Sequence, residues 1–141
     1  MFAQQRSDMR SMANLYHAVK VDTGVGSASP HRLVEILFEE FLASCARGRG
    51  AIASGNVQEK GHAIGRAARI IEEGLRAGLN LEAGGQLAHD LHELYRYVTL
   101  RLTQANLKSD DAAVAECIAL IQPLYDAWRA IGPLVAEANA H

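Results

Sequence analysis

The sequence predicts an all-α protein folded as an antiparallel four-helix bundle, and three observations carry that prediction. No stretch alternates apolar and polar residues for long enough to form a strand. The segments rich in Ala, Leu, Glu and Arg are separated by glycines at 24–26, 48–50 and 84–85 and by prolines at 30, 123 and 133. Four of these segments repeat apolar residues every three or four positions, and short connections between long amphipathic helices favour antiparallel neighbours.

The first helix has the clearest start. Ser29 offers an oxygen to free backbone N–H groups, and Pro30 follows with a preset φ and no N–H to leave unpaired. Leu33, Val34, Leu37, Phe38, Phe41 and Cys45 form its stripe, so the helix is expected from Pro30 to Ser54. After Gly55, Asn56 reads as the next cap, with Glu59 completing a capping-box pair. The stripe Val57, Ile64, Ala68, Ile71, Leu75, Leu79 then carries a second helix to Asn80. Leu87, Leu91, Leu94, Val98, Leu102 and Ala105 define a third, from Gly85 to Leu107. Ser109 is expected to cap the fourth, with Asp110 and Asp111 at the positive end of its dipole. Its face is Val114, Cys117, Ile118, Ile121, Leu124, Tyr125 and Trp128, and Pro123 is expected to kink it. Residues 1–28 read as a mobile arm with a short helix around Leu15, Tyr16, Val19 and Val21, ahead of a bundle at 29–141.

Composition narrows the function. A chain of 141 residues is one domain, long enough to bury about two-thirds of its unfolded surface. With 14 basic and 16 acidic side chains it lacks the dense basic face that binding to nucleic acid requires. Cys45 and Cys117 lie among apolar neighbours and read as buried thiols of a reducing compartment. The opening residues have no apolar signal core, and no run approaches a membrane span, so a cytoplasmic protein is expected.

Enzymatic readings find little support. A di-metal bundle needs two Glu-x-x-His pairs, and only Glu59-Lys60-Gly61-His62 occurs, at a helix start. His89, His92 and Glu93 imply no further zinc ligand, and neither cysteine has a histidine placed to activate it. We expect no cofactor, no metal and no catalysis. The pairs Gly61/Gly65 and Gly74/Gly78 suggest close approach of another helix, or else a binding groove. What exceeds the needs of a simple bundle is apolar surface: Leu100 and Leu107 fall nearly opposite the third seam, and Ile70 falls well off the second. Such a surplus points to a protein partner whose helix or extended segment is bound by apolar burial. A metal-binding bundle enzyme and a self-assembling structural bundle are the competing readings.

The chain also resembles a known family, the flagellar secretion chaperone FliS. The residues that carry the likeness are Tyr16 and Val21 ahead of Ser27-Ala28-Ser29-Pro30-His31-Arg32-Leu33, then Gly55-Asn56-Val57, Ile70-Ile71 and Gly74-Leu75-Arg76-Ala77-Gly78-Leu79. Leu91-His92-Glu93-Leu94-Tyr95-Arg96-Tyr97, Gln104-Ala105-Asn106-Leu107 and Ala127-Trp128 extend it over residues 14 to 129. Asp90 and Ala68 depart from the usual pattern. The resemblance implies a bundle that holds the disordered C-terminal segment of flagellin, stops early polymerisation and aids delivery to an export gate component of the flagellar type III apparatus. It also implies Tyr95 and Asn106 as partner contacts and Tyr16 as an anchor of the arm. A monomer or weak homodimer is expected.

Overall fold

Ser29 caps the first helix as its chemistry predicts, its Oγ accepting the Arg32 N–H at 3.1 Å with Pro30 in the first turn. In this computed structural model, which describes residues 28–139 and side chains as far as 134, helix α1 spans Pro30–Ser54. It stops at Gly55, whose φ of 72° lets the chain turn left-handed while the N–H groups of Gly55 and Asn56 return to the α1 carbonyls of Ile52 and Ala51. Asn56 then accepts the Glu59 N–H at 3.1 Å and starts α2, Val57–Arg69. Both starts match the sequence reading.

The second helix ends differently from expectation. From Ile70 to Arg76 it continues as a π-helix, shown by the Ala77 N–H reaching back five residues to the Glu72 carbonyl, and it stops there rather than at Asn80. Helix α3 spans Gly85–Lys108 and α4 spans Asp111–Asn139, running on through Pro123 and Pro133. Ser109 does not cap α4. It terminates α3 in the left-handed region at φ 51°, and Asp110 is the cap instead, its Oδ1 accepting the Ala113 N–H at 3.3 Å. Either residue type can cap, so spacing alone did not separate them.

The helices form a closed ring of neighbours. α1 packs on α2 and α4, α3 packs on α2 and α4, and the backbones of the diagonal pairs stay apart. Because each helix meets two others, its buried arc is wider than one seam, and this corrects the reading of α2. Ala63, Ile64, Ala67, Ile70, Ile71 and Leu75 are all buried, so Ile70, 0% exposed, belongs to the core and not to a surface groove. The alanines mark the α1-facing flank, where a Cβ on Gly48 would stand 2.8 Å from Ile64 Cγ1. Val57, counted in the predicted stripe, is exposed instead. Cys45 and Cys117 are free and fully buried, as their surroundings predicted. Among the described residues no helix is long and apolar enough to cross a membrane, and no three His, Cys, Asp or Glu side chains gather to hold a metal. The proposed arm, with Tyr16, lies outside the described residues.

Candidate functional site

The strongest apolar feature lies on the outside of α3. Helical geometry puts residues seven apart on one face, and Leu100 and Leu107, 56% and 81% exposed, share the side opposite buried Val98, Leu102 and Ala105. The threonine hydroxyls beside them are already bonded. Thr99 and Thr103 turn their hydroxyls onto the carbonyls of Tyr95 and Thr99 at 3.1 and 3.0 Å, which withdraws two donors from this face.

A charged rail borders the face towards α4. Tyr97 O–H and Arg101 Nε both donate to the Glu116 carboxylate, at 2.5 and 2.8 Å, and Arg101 also donates to Gln104. These bonds hold the Glu116 carboxyl below its usual pKa, Tyr97 acting first and Arg101 second, while the bond to Glu116 raises the Tyr97 hydroxyl.

Towards α2 the boundary is open. Among the described residues nothing stands within 4 Å of where a Cβ on Gly61 or Gly65 would be, so no described helix makes the close approach that this spacing suggested. On a helix turning about 100° per residue, Val57, Gly61 and Ala68 fall within about 40° of one another. Lys60 Nζ donates to Ser109 Oγ at 2.7 Å and fixes the start of α2 beside the end of α3. Exposed Val57 and exposed Leu107 therefore occupy the same end of the bundle.

The remaining candidates divide. Tyr95 is 3% exposed, and burial pushes its hydroxyl up to about 12. Its ring belongs to the core and offers a partner almost no surface, because α3 turns that position inward with Val98 and Leu102. Asn106 is half-buried one position before Leu107. Tyr16 lies outside the described residues.

Two shallow apolar troughs were not foreseen. One, of about 500 Å³, runs between α1 and α4 over Ala46, Gly50, Ala53, Ile52 and Ile118. The Arg49–Asp111 pair closes its rim with bonds of 2.8 and 3.0 Å that hold the Asp111 carboxyl low. Its signal in the sequence is a run of small residues, which a search for large apolar positions passes over. The other, of about 390 Å³, lies where α2 gives way to α3 and is lined by Leu79, Leu87 and Leu91. Leu87 was expected in the third seam but is 70% exposed, because the π-helix ends at Arg76 and leaves the first turn of α3 uncovered.

Comparison with known proteins agrees with the resemblance read from the residues. A family model described as "Flagellar protein FliS" matches residues 12–135. The flagellar secretion chaperone FliS of Salmonella typhimurium is 43% identical over 118 residues, covering 84% of this chain and 87% of that protein. Its counterpart in Vibrio cholerae is 35% identical over 125 residues, with coverage of 89% and 91%. FliS of Escherichia coli is 40% identical over 114 residues, with coverage of 81% and 84%.

Proposed function

Because this chain belongs to the FliS family of flagellar proteins, we propose that it is a flagellar export chaperone, not an enzyme, whose client is the disordered C-terminal segment of flagellin. On this reading the protein works in the cytosol of a flagellated bacterium. It keeps flagellin from polymerising early and helps to pass it to an export gate component of the flagellar type III apparatus. Leu100 and Leu107 are the contacts we assign on the bundle, with Asn106 at their edge and Tyr16 as the arm's anchor.

The observation that carries the reading is the outward face of α3. Two leucines are held away from the core on one continuous helix, with their neighbouring hydroxyls already bonded, and α2 offers open space at Gly61 and Gly65. Fully burying one leucine contributes roughly 1.5–3 kcal/mol. A client that is disordered when free spends about 2–5 kcal/mol on becoming ordered, so one such contact is insufficient and a long surface is required. The troughs between α1 and α4 and beside Leu87 extend the apolar surface around the bundle.

Calorimetry with a peptide of the flagellin C-terminal segment tests the proposal. We expect a one-to-one complex with a negative heat-capacity change from apolar burial. No heat, together with self-association of the chain, would favour a structural bundle whose spare faces join identical copies.

A further inference from the structure

We infer that α4 beyond Pro123 is a strap that opens separately from the rest of the bundle, hinged at Pro123 and latched by the mutual grip of His31 and Trp128. Three features of the molecule carry this.

The first is the backbone. Proline has no N–H, so the bond that would run from position 123 back to the Ala119 carbonyl is missing, and the ring crowds that carbonyl. The second is burial. Among the described side chains of α4, Ile121 is the last that is buried, and from Gln122 to Leu134 none is. A segment with few buried apolar contacts lies at the low end of local opening free energies.

The third is the way the strap is held. The His31 and Trp128 rings stack with centroids 4.6 Å apart and planes 6° from parallel. Trp128 Nε1–H donates to the His31 carbonyl at 3.0 Å, and His31 Nε2 meets the Trp128 carbonyl at 2.9 Å, which requires the proton on Nε2. Gly132 makes room one turn further on, since a Cβ there would stand 3.0 Å from His31 Cε1. Nearer the hinge, Tyr125 donates to Glu39 at 3.2 Å and lies tilted against Phe38. The strap is thus held at the edge of the core, where Leu124, Tyr125 and Trp128 are only half-buried, and fastened there by a few side chains of the first turns of α1. His31 is the second residue of α1, so the latch joins the strap to the start of that helix.

Amide hydrogen exchange on the full-length native chain tests the inference, with emission from Trp128, the single tryptophan, as a second readout. Amides at 124–134 should exchange faster than those at 112–121. His31→Ala should speed the first set about tenfold further and shift Trp128 emission to the red, leaving α2 and α3 unchanged. Pro123→Ala restores the missing backbone bond and should slow the same amides, a change in the opposite direction that does not depend on the first variant folding well. Equal acceleration throughout all four helices in His31→Ala, or no slowing in Pro123→Ala, would overturn the strap.

Discussion

Lys60 spends its charge on Ser109: the buried ammonium donates to the Ser109 Oγ at 2.7 Å and ties the first turn of α2 to the residue that ends α3. The contact also brings a cation to the negative end of the α3 dipole, where it is favourable. Ser109 makes this bond from a left-handed backbone at φ 51°, a conformation that glycine would adopt more easily.

Those two effects oppose each other in Ser109→Gly. Relief of the backbone contributes about 0.5–1 kcal/mol, whereas a buried ammonium left without its partner costs about 1–3 kcal/mol. The variant should therefore be less stable by about 1 kcal/mol, seen as a lower urea midpoint at unchanged slope. A higher midpoint would show that the bond contributes little.

Glycines in two helices make opposite predictions. Gly48→Ala drives a Cβ to 2.8 Å from Ile64 Cγ1, and overpacking of about 1–3 kcal/mol outweighs the helix-propensity gain of about 1 kcal/mol, so stability falls. Gly65→Ala meets nothing within 4 Å and should raise the melting temperature by a few degrees. On the chaperone reading the same substitution fills the open space on α2 and weakens flagellin binding. Thermal melts and calorimetry on the two variants separate these effects.

Much of the fold was legible because its signals are local. Ser29-Pro30 and Gly55-Asn56 state their roles by chemistry alone, and the first helix begins and ends where they put it. What failed depended on neighbours in space. Ile70 looked exposed because the stripe was drawn as one narrow line through Ile64, Ala68 and Ile71, whereas Ala63, Ala67 and Ile70 are buried as well and widen the covered arc. Leu87 fits the seam of α3 but loses cover where the π-helix stops. Leu100 and Leu107 were legible as surface because they lie almost opposite an unambiguous seam. The grip of His31 on Trp128 was not, since it joins residues 97 apart.

The buried thiols set a pH dependence. Desolvation pushes Cys45 from 9.0 to about 12 and Cys117 to about 11. Their folded-state values lie above the unfolded ones, so their contribution is fully present below pH 9 and is lost as pH rises. Between pH 9 and about 11 each thiol lowers stability by about 1.4 kcal/mol per pH unit, because only the unfolded chain ionises. Denaturant melts across this range, with thiol titration at pH 8, check it. Rapid modification of the native protein at pH 8 would contradict the burial of both groups.

The central claim is that α3 lends the client an apolar face that its own fold does not need, and Leu100→Glu with Leu107→Glu tests it most directly. Calorimetry against the flagellin C-terminal segment, with circular dichroism of the free variant, should give an affinity loss of about tenfold or more and unchanged helicity. Unchanged affinity, or loss of the fold itself, would contradict it.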